Sequence, residues 1–356
     1  MKICGKFAFP LSAILLGLSL TVTILSPNSI AQTHAQMVLV TTGSTMPQQL
    51  YLLWGDEYHK VHPETQVRYI AVGTGESASR VLSGIGEDLG GGDAPIPAKQ
   101  LREAAHAALE LPTVLVGIAI FYNVPGNASG IRLSGPVLAN IYLGKITSWS
   151  DPEIARLNLD DRLPALPIKV LHRTDGKGSN YIFSDFLSKV SPEFRSKVGT
   201  SVSPPWPVGR PFGRCQDLLE NLAQSPGAIG YAELRCAEKL NLSSAAIRNA
   251  AGVFVAPSTK SIGDVAAAMD SKMNDDFRVS LTNAPGKDSY PIVSFTWLYV
   301  PVHTQDFQRS RAVNDYLKWV YGPGQEIARA QRYITLPPSV LQKVRLKLEN
   351  LADQHS

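Results

Sequence analysis

Cysteine is scarce, with three residues in 356. Cys4 falls in the N-terminal apolar segment, which leaves Cys215 and Cys236 for the rest of the chain. A catalytic thiol needs a base and a cleft beside it, and neither cysteine has a recognisable base nearby in sequence. Nucleophile and metal signatures are missing as well: there is no G-x-S-x-G elbow and no H-E-x-x-H pair. His59 and His62 are three apart but have no carboxylate partner in sequence, so they read as surface residues and not as metal ligands. No Lys/Arg stripe stands out, and the net charge is only +4, which excludes a nucleic-acid footprint. Internal repeats and low-complexity tracts are absent. Beyond the N-terminal segment no run is apolar enough to span a bilayer.

The N-terminus is distinctive. Lys2 and Lys6 precede the apolar run FAFPLSAILLGLSLTVTIL, and SPNSIAQTHAQ then offers small residues for cleavage after Ala31 or Ala35. Residues 1–31 are therefore predicted to be an export signal, with an uncleaved anchor as the competing reading. Pro10 and the polar exit favour cleavage. No cysteine follows the run, so no lipid-anchor box is present. A soluble, periplasmic protein is expected. In that oxidising compartment the even pair Cys215 and Cys236 predicts a disulfide, the alternative being two buried thiols.

Periodicity along the chain predicts an α/β fold. MVLVTT reads as a strand, MPQQLYLLWGDEYHKVHP as a helix with Leu50, Leu53, Trp54 and Tyr58 on one face, and TQVRYIAVG as a second strand. ESASRVLSGI is helical, EDLGGGDAPI is a short strand, and PTVLVGIAIFYNV is a long apolar one. The order suggests a largely parallel sheet. LPIKVLHR, AIGYAEL and YPIVSFTWLYVP are later strands. The two long apolar strands, near 114–122 and 290–300, are expected to cross between two lobes. That places lobe one at 37–121 plus 290–356, lobe two at 122–289, and the hinge near 119–124 and 288–294. Each lobe would be a mixed sheet flanked by helices, with the ligand in the interlobe cleft.

Three strand-to-helix turns carry small hydroxyl residues. GSTMP, residues 43–47, ends a strand and reads by itself as an N-cap. GTGESA, residues 73–78, formally meets a relaxed dinucleotide fingerprint, but its simpler reading is a helix N-terminus with free N–H groups. LHRTDGKGSN, residues 171–180, lacks the GxxxxGK[ST] spacing of a Walker loop yet joins an arginine to a third helix start. His172 is read as a structural neighbour there. Together the three turns describe an oxyanion site built from helix N-termini at the carboxyl ends of strands.

The segments GSTMPQQLYLLW, YIAVGTGES, GGDAPI, LPTVLVGIAIFYNVPG, LANIYLGKITSWSDPEIARLN, RTDGKGSNYIFSDFL, SPGAIGYAEL and LPPSVL, in this order, resemble the periplasmic phosphate-binding components of phosphate ABC transporters. The resemblance covers essentially the whole chain after the signal. It implies two α/β lobes closing on one inorganic phosphate and delivery to a membrane ABC permease. It implies no enzyme activity, no cofactor, no metal and no nucleic acid, and a monomer. It carries binding roles onto Thr45 and Met46, Thr74, Asp93, Arg173, Asp175, Lys177, Gly178 and Ser179. Asp93 would accept the proton of hydrogen phosphate, and Asp175 would hold Arg173. Met46 stands where the family usually has phenylalanine, Lys177 where it has serine, and Glu76 where it has glycine. A Glu76–Lys177 bridge across the closed cleft is one expectation. Another phosphorylated or tetrahedral oxyanion is the alternative ligand, and a secreted phosphatase the alternative class.

Overall fold

Seven largely β-branched and apolar residues make Met37–Gly43 the first strand. It runs parallel to Thr65–Ala71, with Met37 opposite Thr65 and Gly43 opposite Ala71. Parallel neighbours need a crossover, and helix Gln48–Val61 supplies it. Leu50, Tyr51, Trp54, Gly55 and Tyr58 form its buried stripe. Gly55 sets the closeness of helix and sheet: a Cβ there would lie 2.8 Å from the Val67 carbonyl oxygen. The polar tips in the stripe are satisfied, as burial requires. Trp54 donates its indole N–H to the Gly324 carbonyl at 2.7 Å, and the Tyr51 hydroxyl lies 2.6 Å from that of Thr113.

The structure, a computed structural model, describes residues 36–353 except 85, 105, 127–129, 161–162, 239, 241 and 303–305. The predicted export signal lies outside the described residues. Among those residues no helix is long and apolar enough to cross a membrane.

Helix Thr74–Ser83 and the short strand Gly90–Gly92 lead to a 15-residue strand, Ala108–Tyr122. Its length, well above the usual ~5–6 residues, reflects two successive partners. Residues 108–117 pair antiparallel with Val293–Pro301, and residues 118–122 pair antiparallel with Ala228–Glu233. Lys169–Arg173 then runs parallel to Ala228–Glu233 and to Arg210–Phe212. These strands belong to one mixed, eight-stranded sheet. The expectation of a largely parallel sheet is corrected at the two long strands. Both are buried along almost their whole length, so they show no alternation from which direction could be read.

Helix Gly178–Val190 covers the later strands. Phe183 packs its ring 4.8 Å from Tyr142 and 4.4 Å from Tyr231, centroid to centroid. Such aromatic pairs hold the helix axis in place, and therefore the position of its N-terminus. Cys215 opens helix Cys215–Gln224, and Cys236 lies in the 3-10 turn Leu234–Ala237 just beyond strand Ala228–Glu233. The two are joined as a disulfide, with Cα atoms 6.3 Å apart.

The bridge closes a loop between residues 21 apart, worth about 3 kcal/mol through the unfolded state. Calorimetry of the Cys215→Ser, Cys236→Ser double variant is expected to show unfolding several degrees below the wild type, and dithiothreitol is expected to reproduce that drop in the wild type only.

Candidate functional site

Three helix starts and two strand ends converge on one buried carboxylate. Asp93 follows strand Gly90–Gly92 and is fully buried. Its Oδ2 accepts from the Ser44 hydroxyl and, at 3.2 Å, from the Thr74 hydroxyl. Thr74 Oγ1 in turn accepts the Asp93 backbone N–H at 3.2 Å. Asp93 Oδ1 has no partner. Burial raises its pKa to about 7; the Ser44 bond opposes this, Glu233 adds to it, and Thr74 and Arg173 oppose it.

Each turn is shaped by a local demand for space. Met37–Gly43 ends where a Cβ at Gly43 would meet the Tyr69 hydroxyl at 2.3 Å, and that hydroxyl donates to the Ser44 carbonyl at 2.6 Å. Ser44 Oγ also accepts the Met46 N–H at 3.1 Å, so one side chain ties the first turn to Asp93. Gly73 has φ +105°, a conformation open to glycine, and it launches helix Thr74–Ser83. Gly178, first residue of its helix, sits hard against the carboxylate. A Cβ there would lie 2.3 Å from Asp93 Oδ2 and 2.7 Å from Thr74 Oγ1. The Gly75 N–H reaches the Gly176 carbonyl at 3.3 Å, joining the second and third turns. Asn180 braces the third: its side chain donates to the Thr174 and Val202 carbonyls at 2.8 and 3.0 Å and accepts from the Tyr231 hydroxyl.

Arg173 ends strand Lys169–Arg173 and is 2% exposed. Its guanidinium donates to the Phe212 carbonyl at 3.3 Å and to the Gly213 carbonyl at 2.8 Å, and Nη1 lies 3.8 Å from Glu233 Oε2. Thr45, Met46, Arg173, Gly213 and Glu233 face one cavity of about 250 Å³, with the Cys215–Cys236 bridge and Arg214 and Arg235 also in its wall.

The structure thus brings Thr74, Asp93 and Gly178 into contact, sets Thr45, Met46 and Arg173 around one cavity, and buries Ser179 beside Gly178. Two expectations are corrected. Asp175 is exposed, and the carboxylate near Arg173 is Glu233, because the turn at Asp175 points its side chain to solvent while Glu233 ends the adjacent parallel strand. Glu76 is bound by Arg80 one helical turn away at 2.7 Å and not by Lys177, the i, i+4 spacing making that partner local. Lys177 Nζ instead lies over Gly73, 3.6 Å from where a Cβ would stand. Ser44 and Glu233 escaped the sequence reading. Ser44 sits inside a motif that an N-cap explains, and Glu233 is one acid at a strand end with no spacing to mark it. Among the described residues the single cluster with metal-ligand types is Cys215, Glu233 and Cys236, and its sulfurs are spent in the disulfide.

The profile of the PBP superfamily domain matches residues 30–323. A phosphate-binding protein PstS of Xylella fastidiosa is 31% identical over 329 residues, covering 92% of this chain and 89% of the relative. One from Pasteurella multocida is 32% identical over 319 residues, covering 89% and 92%. An ABC-type phosphate transport receptor from Vibrio cholerae superposes with a TM-score of 0.59 at 15% identity, covering 84% of this chain and 99% of that one, a likeness of fold.

The raised carboxyls leave a mark on stability. Glu110, buried beside Arg278, is also pushed up to about 7, chiefly by burial. Between about pH 4 and 7 the folded chain holds protons at Asp93 and Glu110 that the unfolded chain has released, so stability falls as pH rises through that window and levels off above it. Thermal unfolding of the ligand-free protein is expected to show this fall, and Asp93→Asn is expected to make it shallower and to unfold later than wild type at pH 8. Parallel curves for the two proteins would contradict the assignment.

Proposed function

The chain belongs to the PBP superfamily and to the family of phosphate-binding proteins it matches, and from that membership we propose that it captures inorganic phosphate and hands it to an ABC permease. It acts by noncovalent binding and is not an enzyme, as its relatives are binding proteins. The observation that carries the reading is the half-satisfied carboxylate of Asp93: one oxygen saturated by Ser44 and Thr74, the other buried without a partner.

A bare carboxylate repels an anion. It attracts one that brings a proton, and hydrogen phosphate does so while sulfate at neutral pH does not. A buried acceptor left unpaired costs about 1–3 kcal/mol, which is the size of the discrimination available. In this proposal Asp93 Oδ1 takes the ligand's O–H, and Arg173 supplies paired N–H donors. The backbone N–H groups at Thr45, at Thr74, and at Gly178 and Ser179 cover the remaining oxygens, while the Met46 N–H is held by Ser44 Oγ and Met46 contributes to the wall. Glu233 and the carbonyls of Phe212 and Gly213 take the place first given to Asp175, by fixing the guanidinium. Hydrogen arsenate has the same shape and the same proton, and this site would admit it.

The partner switch of strand Ala108–Tyr122 near residue 118 supports a division into lobes at 37–121 plus 290–356 and at 122–289, with the hinge near 119–124 and 288–294. Contacts between the turn at Gly73–Gly75 and that at Gly176–Gly178 are then contacts across a closed cleft. A periplasmic monomer, exported by residues 1–31, completes the proposal.

Calorimetry with phosphate and sulfate tests it. At pH 8 the protein is expected to bind phosphate and to ignore sulfate. Sulfate binding is expected to emerge as pH falls below about 7, where a protonated Asp93 turns from acceptor to donor. Equal affinity for the two anions at pH 8 would overturn the role of Asp93.

A further inference from the structure

Of the three arginines on the cavity wall, Arg173, Arg214 and Arg235, Arg173 is the buried one. Its guanidinium is held from two segments distant in sequence. Nη2 donates to the Gly213 carbonyl at 2.8 Å, and Nη1 lies 3.8 Å from Glu233 Oε2. Cys215 follows Gly213 by two residues, Cys236 follows Glu233 by three, and the two cysteines are bonded. The segments differ in what else fixes them. Cys236 sits in the 3-10 turn Leu234–Ala237, whose Arg235 stacks 4.1 Å from the Tyr333 ring and donates to the Gln331 and Arg332 carbonyls at 3.1 and 3.4 Å. Gly213 has little such support. A Cβ built on it would meet nothing within 4 Å, and Arg214 beside it is exposed, with Asp217 at 3.9 Å. Helix Cys215–Gln224 starts without a side-chain cap, and Cys215 is the one buried residue among its first three. The bridge therefore carries the anchorage of the 3-10 turn across to the segment that offers Arg173 the Gly213 carbonyl.

We infer that the Cys215–Cys236 disulfide is a positioning device for the Arg173 guanidinium, so that reducing it weakens anion capture while the fold stays intact. The inference rests on the phosphate reading and deepens it by making affinity depend on the redox state of this cysteine pair. The bond lies in the wall of the cavity, within reach of a small dithiol. Thiol–disulfide exchange with a dithiol breaks the S–S bond: the two sulfurs of the reductant join as a disulfide, and Cys215 and Cys236 each take one proton and end as thiols. The first turn of helix Cys215–Gln224 then loses its tie to the 3-10 turn, and the Gly213 carbonyl is no longer held where Nη2 meets it. A guanidinium that was fixed in advance must be ordered by the ligand, at a cost in affinity. Asp93, Ser44 and Thr74 lie on other turns, so the discrimination against sulfate at pH 8 is unaffected.

Inorganic phosphate is titrated by calorimetry into the wild-type protein and the Cys215→Ser, Cys236→Ser double variant, each with and without dithiothreitol, at a temperature where circular dichroism shows all four samples folded. Reduction and double substitution are each expected to weaken wild-type binding about tenfold, the scale of ordering one long side chain. Dithiothreitol is expected to change nothing in the double variant, and sulfate is expected to stay unbound in every sample at pH 8. Nuclear magnetic resonance of the ligand-free protein supplies a readout that a merely stabilising bond would not move. The guanidinium N–H signals of Arg173, assigned by their loss in Arg173→Lys, are expected to exchange with solvent several-fold faster after reduction, while the amides of helix Gly178–Val190 keep their protection. Unchanged phosphate affinity after reduction overturns the inference and leaves the phosphate reading standing. Weakened binding with unchanged Arg173 exchange overturns it too, since the bond would then act by another route. No phosphate binding by the oxidised wild type overturns the phosphate reading itself and the dependence of affinity on the bond.

Discussion

An ionisable carboxyl taken fully out of water, with donors on one oxygen and none on the other, is the constraint around which this protein is arranged. Burial alone pushes Asp93 toward its neutral form, and the hydroxyls of Ser44 and Thr74 pull it back. The result is a carboxyl whose pKa is raised to about 7 and whose second oxygen has no partner. Both hydroxyls come from strand-to-helix turns, so the carboxylate also ties those turns together. Gly178 closes against the same oxygen because it has no side chain. Almost any substitution there would drive the third helix start away from the first two.

Arg173 shows how a second charge is kept in place without a strong ion pair. Two main-chain carbonyls take its N–H groups, and Glu233 stands at 3.8 Å, close enough to attract and too far for a short bond. Gly213 lies two residues before Cys215, and Glu233 three before Cys236. The disulfide therefore binds together the two segments that hold the guanidinium. Rigidity of this kind matters more than summed charge, since donors fixed in advance cost little entropy when the ligand arrives.

Much of this was legible in the chain. Helix Gln48–Val61 announces itself through Leu50, Trp54 and Tyr58, because amphipathic spacing is a local property. The three turns were legible as helix starts for the same reason. What stayed hidden depends on contacts distant in sequence. The antiparallel pairing of residues 108–117 with Val293–Pro301 spans most of the chain. Ser44 reaches Asp93 across 49 positions, and Glu233 lies 60 positions beyond Arg173. An acid two residues from an arginine, Asp175, is the obvious partner of Arg173 in sequence, while the strand order brings Glu233 beside it. Glu76 erred in the opposite sense, since a local partner, Arg80, outcompetes a distant one.

In the proposed function the free oxygen of Asp93 receives the ligand's proton. A crystal structure of the phosphate complex at pH 8 tests it most directly. One phosphate oxygen is expected about 2.6 Å from Asp93 Oδ1, the short spacing of a hydroxyl facing a carboxylate, with other ligand oxygens on the Arg173 guanidinium. A phosphate seated elsewhere, with Asp93 Oδ1 still without a partner, would contradict it.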